Sequence, residues 1–442
     1  MKQRLINILF WSVISAAFIG PGTVTTAASS GAGFEYALIW TLLFSAVACY
    51  VLQEASARIT AVSGMNLGEA MQQEYGHTRA GKWIIWLTLI AILSGCIAFE
   101  TGNILGAVAG VTLIHSSISV PAVVVTIGVI SAALLWKGTI KQIAATLGII
   151  VAVMGFCFVI TALLIPHDLY AIAGTGFVPT IPQGAELLVL GLIGTTVVPY
   201  NIFLGSGLKH TQSPREMKLS LGIAIFLGGF ISIAILLTGT AISGEFTFEA
   251  LSEALAGQLG GWAPWLLGIG LFGAGLSSTL TAALAASITA KSLLVQPDTK
   301  HFWSENSLRF RIVWITVLLI GLTFGMLQVQ PVPAIILAQA LNGIILPIVA
   351  IILFILLNND NVLPAGHQNG KMYNTLTAIV VYLTLLIGLT NVNRALSRIT
   401  DIELLNQRGV FLISIVLFVV IMIPLYKKII GQTVTSTNNI YS

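Results

Sequence analysis

Long uncharged apolar stretches separated by short polar connections dominate this chain. Crossing a bilayer as a helix takes about 20 apolar residues. Twelve segments qualify, at about 8–30, 36–58, 83–111, 119–136, 142–165, 185–208, 218–243, 263–290, 312–329, 333–357, 373–390 and 409–426. No connection is long enough for a soluble domain, so residues 1–442 read as one polytopic unit. Two of the twelve segments are interrupted. The stretch "AFIGPGTVTT" (17–26) sets Gly20-Pro21-Gly22 in mid-segment, and "IGTTVVPYNIFL" (193–204) sets Pro199 there, behind Thr195, Thr196, Val197 and Val198. Proline removes a backbone donor and clashes with the preceding turn, and glycine weakens a helix by its freedom.

The interrupted segments are the first and the sixth. An offset of five spans makes them enter the membrane from opposite sides, so the chain reads as a 5+5 inverted repeat. Its halves would run about 8–165 and 185–357, with two further helices at 373–426. Matched broken helices in inverted halves point to a transporter's binding site. Backbone that is not helical persists at that depth only where it lines protein or a water-filled cavity. A lone Pro199 would read as an ordinary kink; the glycine-flanked Pro21 at the matching place turns the pair into a site. We expect an all-α secondary transporter working by alternating access, and no enzyme. No P-loop supports ATP-driven pumping, and no TVGYG-type filter supports a potassium-type channel.

Composition agrees with that reading. The chain is 56% hydrophobic and 8% charged, against about 25% charged in soluble domains, and its mean hydropathy is +0.96. The net charge of +4 is therefore read through topology and not as a nucleic-acid signal. With alternate connections sorted to opposite sides, 17 of the 20 Lys and Arg fall on the side of the N-terminus. The exceptions, Arg394, Arg398 and Arg408, share the connection 391–408, which reads as a loop or an interfacial amphipathic helix. The positive-inside rule then makes both termini cytoplasmic, in an inner or plasma membrane. Lys2 and Arg4 before "LINILFWSVISAAF" imitate a signal peptide, but the apolar run continues past any cleavage site and reads as the first span. Cys49, Cys96 and Cys157 lie in apolar runs without a CxxC and read as small buried side chains. His77, His115, His167, His210, His301 and His367 fall in connections, without zinc-ligand spacing. Lipid and a small ion or solute are the expected partners. No nucleic acid and no cofactor is expected, and a monomer is the working expectation.

Four segments in order carry a family resemblance. "IGPGTVTTAASSGAGFEYALIW" resembles the first-helix DPGN segment of the natural resistance-associated macrophage protein (NRAMP) family, proton-coupled divalent-metal transporters with the leucine-transporter-type fold. "VVPYNIFLGS" is similar to that family's sixth-helix MPHN segment. "GAGLSSTLTAALAASITAKSLL" resembles its eighth helix, and "AQALNGIILPIVAIIL" its tenth. The resemblance spans roughly residues 10 to 360. It implies a metal cation as cargo, yet the family's liganding Asp, Asn and Met fall on Gly20, Thr23 and Val198. The sixth-helix histidines fall on Tyr200 and Gly205, and the third-helix acidic pair on Glu100 and Asn103.

What remains at the break is neutral and oxygen-rich: backbone at Gly20, Gly22 and Val197, with Thr23, Tyr200, Asn201, Gln339 and Asn342. Pro21 and Pro199 make the two breaks. Dehydrated transition metals want anionic or soft ligands, so such a set suits a hydrated divalent ion, with any metal in this same site. It equally suits a zwitterion whose carboxylate meets the amides around Gly22. A transport-inactive sensor or scaffold on the same fold is the third reading. Glu100, an acid well inside a span, is expected to carry a coupling proton or to partner Asn103 structurally. Ser277, Ser278 and Thr279 read either as ion-coupling hydroxyls, by analogy with sodium-coupled relatives of this fold, or as small packing residues. Glu54 and Arg58 are expected to pair at i,i+4.

Overall fold

A computed structural model describes residues 19–138, 140–207, 214–364, 368–400 and 405–438. These residues form helices α1 (Pro21–Phe34), α2 (Ile39–Ser63), α3 (Leu67–Tyr75), α4 (Arg79–Ile114), α5 (Val120–Lys137), α6 (Ile140–Leu164), α7 (Glu186–Thr196) and α8 (Pro199–Gly207). Then follow α9 (Pro214–Gly239), α10 (Phe248–Leu259), α11 (Ala263–Leu294), α12 (Leu308–Met326), α13 (Pro331–Leu357), α14 (Lys371–Thr400) and α15 (Gln407–Asn438). Among the described residues ten helical stretches are long and apolar enough to cross a membrane, and Gln407–Ile423 is a shorter apolar one. The first half of the first predicted span lies outside the described residues.

The described backbone is non-helical at both predicted interruptions. Helix α1 begins at Pro21, where a missing N–H costs nothing, behind an extended Gly20 (φ −86°, ψ 176°). Helix α7 ends at Thr196, Val197 leaves the helical region (φ −102°, ψ 75°), and Pro199 opens α8.

Small residues let the central helices approach closely. Helices α4 and α11 touch through Gly275, where a methyl group would lie 2.6 Å from the Asn103 carbonyl oxygen. Helices α7 and α13 do the same through Gly343, 2.6 Å in that sense from the Leu190 carbonyl oxygen. Around this centre a belt of large apolar side chains, among them Leu87, Ile149, Phe156, Leu163 and Val416, is exposed, as a bilayer requires.

Three departures from the sequence expectation have local causes. The connection 391–408 is no loop at its start, because α14 continues to Thr400. Thr390 Oγ1 and Asn391 Nδ2 donate to carbonyls one turn back, each at 2.8 Å, so the polar residues satisfy themselves along the helix. Two short helices in the connections were not foreseen. Helix α3 starts with a reciprocal capping box between Asn66 and Glu69, and α10 is capped by Thr247 and buries Phe248, Leu251 and Leu255 on one face.

Lys137, Lys218, Lys291, Arg309 and Lys371 sit on the ends of α5, α9, α11, α12 and α14 that share one side of the bundle, the basic end. There Glu54, fully buried, pairs with Arg58 Nε at 3.3 Å as expected and also with Lys218 Nζ at 3.0 Å from α9. Arg58 donates to Asn369 Oδ1, and both cations lie over the Tyr373 ring, 5.3 and 5.5 Å from its centroid.

Candidate functional site

The two breaks meet. Thr23 Oγ1, in the first turn of α1, hydrogen-bonds Thr195 Oγ1, in the last turn of α7, at 2.9 Å. The position that the family resemblance gives to a liganding Asn is therefore occupied in tying the two half-helices together. Thr26 Oγ1 donates to the Gly22 carbonyl at 2.8 Å and steadies the same turn. The sequence marks Thr195 only as one of the residues before Pro199 and does not mark Thr26; a threonine beside a break carries no one-dimensional sign of its partner.

A polar pocket is built around the extended residue. A side chain at Gly20 would begin 3.4 Å from Ser278 Oγ (α11) and 3.9 Å from Asn103 Oδ1 (α4). A methyl group at Gly22 would collide with the Gln339 amide of α13, and one at Gly102 would lie 3.7 Å from Gln339 Nε2. Four helices thus place Gly20, Gly22, Asn103, Ser278 and Gln339 about one spot. Pro21 is held from the other side by Gly106, whose missing side chain makes room for the ring.

These polar groups are buried and unsatisfied. Both amide atoms of Asn103 and of Gln339, together with Ser278 Oγ, have no hydrogen-bond partner within the protein. Native proteins rarely leave such groups unpaired, since each carries a desolvation cost of about 1–3 kcal/mol. Five such atoms around one break mark a candidate site for a ligand that supplies hydrogen bonds. The helix ends add direction. The last carbonyls of α7 face the break with partial negative charge, and the first N–H groups of α1 and α8 face it with partial positive charge.

The remaining predicted residues are placed as follows. Asn201 lies in the first turn of α8, its backbone N–H on the Val198 carbonyl at 3.1 Å and its Nδ2 buried without a protein partner. Tyr200 packs edge-on against Phe99, ring centroids 5.3 Å apart. Asn342 turns to α4, its Nδ2 on the Gly95 carbonyl at 3.5 Å and on its own helix at 3.2 Å. Ser277 donates to Ala274 one turn back, which leaves Ser278 as the hydroxyl of its helix that reaches Gly20; Thr279 Oγ1 is buried and unsatisfied. Glu100 is fully buried, and its Cγ would lie 2.7 Å from a methyl group at Gly321, so it faces α12, one turn before Asn103 on α4. Neither of its oxygens has a hydrogen-bond partner. Cys49, Cys96 and Cys157 are buried and unpaired with one another. No group of three or more His, Cys, Asp or Glu among the described residues could hold a metal ion; His210 and His367 lie outside them.

Comparison with known proteins agrees with this architecture. A family model described as natural resistance-associated macrophage protein-like matches residues 12–393. The divalent metal cation transporter MntH of Yersinia pestis (strain Pestoides F) is 26% identical over 309 residues, 66% of this chain and 74% of its own. MntH of Pectobacterium carotovorum is 25% identical over 402 residues, 87% of this chain and 92% of its own. Among solved structures, a manganese transporter of Eremococcus coleocola superimposes with a TM-score of 0.66 at 18% identity, over 97% of this chain and 94% of that one. Mhp1, a nucleobase-cation-symport-1 family transporter in a closed conformation, gives 0.54 at 16%, over 95% and 92%.

Proposed function

Because this chain belongs to the natural resistance-associated macrophage protein family of membrane transporters, we propose that it carries a divalent metal cation through the break in α1 and α7–α8, with much of the ion's water shell retained. The relatives' names supply the cargo class. The carrying observation is the neutral cluster of Asn103, Ser278 and Gln339 around Gly20, buried and without protein partners. Amide and hydroxyl groups of this kind bond an ion's waters well and replace them poorly, and Mg²⁺ in particular gives up its waters reluctantly. A site without carboxylate or sulfur offers Mn²⁺ and Fe²⁺ no advantage over Mg²⁺. The inverted-repeat reading supplies the motion: the two halves rock about the pocket and expose it to each side in turn. Glu100, buried mid-span one turn from Asn103, is the group we assign to carry a coupling proton.

Flux into liposomes holding the purified protein tests this. Mg²⁺ and Mn²⁺ should enter at comparable rates and compete, while amino acids do not enter. Glu100→Gln should remove the response to a pH gradient and leave flux down the cation's own gradient. Strong preference for Mn²⁺ with Mg²⁺ excluded would overturn the hydrated-ion reading. A second reading rests on the N-termini of α1 and α8, whose N–H groups suit the carboxylate of a zwitterionic solute. Amino-acid uptake in the same liposomes would establish it instead.

A further inference from the structure

A second polar space lies above the pocket, at the end of the bundle opposite the basic end. It is a cavity of about 890 Å³ framed by α1, α4, the connection before α10, and the turn between α12 and α13. Its lining shares α1, α4 and α13 with the site. Leu105 and Ile336 line the cavity, and each stands one helical turn beyond Gly102 and Gln339, which meet in the pocket. Ser29 lines the cavity two turns above Gly22 on α1. Every charged residue of the lining is acidic, namely Glu245 and Glu249, both exposed at the rim. At the depth, Ser29 is 8% exposed and its Oγ has no hydrogen-bond partner. Gln328, also in the lining, holds a left-handed backbone (φ 51°), a conformation that costs a non-glycine residue energy and clusters at functional places.

We propose that this cavity is an entry site for hydrated divalent cations, a station distinct from the central pocket, with Glu245 and Glu249 as the attracting charges and Ser29 as the inner hydroxyl contact. The inference rests on a cation as cargo and on the charge sorting that puts this end outside the cell. Size permits it, since six waters occupy about 180 Å³. Clefts lined by one sign of charge raise the local concentration of opposite ions and lose that effect as salt screens them. The carboxylates are exposed, so the ion is held loosely and passes on.

Binding of Mn²⁺ to the purified full-length protein, followed by loss of the free-ion electron paramagnetic resonance signal, separates the two stations. Wild-type protein should show a weak, salt-sensitive site and a second, salt-insensitive one. Glu245→Gln with Glu249→Gln should remove the first alone, and Ser29→Ala should weaken it about 2- to 3-fold. Ser278→Ala with Gln339→Ala should remove the second alone. In liposomes the double glutamine variant should raise KM for Mn²⁺ about 3- to 10-fold at low ionic strength, with Vmax unchanged, and the difference should close at high salt. Unchanged Mn²⁺ binding and KM in that variant would overturn the entry site. A wild-type protein that binds Mn²⁺ at the salt-sensitive site yet transports no divalent cation would overturn the proposed cargo and leave the entry site standing.

Discussion

In the proposed function selectivity turns on Gly20, whose backbone gives no reason for it to be glycine. At φ −86° and ψ 176° any side chain is allowed, and its Cβ position meets Ser278 and Asn103 only at ordinary contact distances of 3.4 and 3.9 Å. Gly22 is different, since there the Gln339 amide occupies the space. The missing carboxylate is thus a matter of chemistry and not of room. Gly20→Asp should fold normally and place an anion beside the Ser278 hydroxyl. A carboxylate that binds the ion directly favours the one that sheds its waters more readily, and Mg²⁺ dehydrates reluctantly, so Mn²⁺ affinity should rise about 10-fold relative to Mg²⁺, a difference of about 1.4 kcal/mol, checked by competition uptake. Gly22→Ala should instead displace Gln339 and lower uptake of both ions. The positions of both glycines were legible in the sequence as helix breakers. Their different reasons were not, because only packing shows what stands opposite each.

Among the elements, the basic ends of α2 and α9 are tied by one buried acid. Glu54 serves two cations, Arg58 and Lys218, and Tyr373 of α14 lies beneath both. Removing one partner of a buried pair leaves an uncompensated charge and costs about 3–5 kcal/mol where burial is complete. Lys218 is 38% exposed, so the interhelical link carries less. We expect Glu54→Gln to weaken closure of this end by about 1–2 kcal/mol, which corresponds to about a 5- to 30-fold shift in the open population. The readout is the labelling rate of Ala57→Cys, a position 3% exposed behind the cluster, which should rise accordingly. Lys218→Met should give a smaller rise, since Arg58 still pairs with Glu54. The i,i+4 pair was readable from spacing alone. The link to α9 lies 164 residues away in sequence and follows only from how the helices pack.

For the whole molecule, sidedness is the testable quantity. Both exposed and well separated, Gly261 stands before α11 at one end and Ser304 before α12 at the basic end. The three native cysteines are buried, so background labelling is low. In intact cells Gly261→Cys should react with a membrane-impermeant thiol reagent, and Ser304→Cys should react only after permeabilisation. The reverse result would invert the topology and put the acidic cavity on the cytoplasmic side. The paired half-helices make a further demand at this scale. Thr195→Val breaks the hydrogen bond to Thr23 and buries no unpaired group of its own, so it should slow transport more than it weakens Mn²⁺ binding.

Chain-local chemistry settled the membrane class, most of the spans and the places where two of them stop being helical. Apolar length and the donor lost at proline act within a few residues, so they are written along one dimension. Tertiary structure alone decided which side chains surround the break. Ser278 reaches Gly20 while Ser277 bonds its own helix, Asn342 turns to α4, and Thr23 is taken by Thr195. The rotation of each helix about its axis is set by close contacts between small residues on different helices, such as Gly275 on Asn103 and Gly343 on Leu190. Apolar patterning in a span that is hydrophobic all round does not encode that rotation.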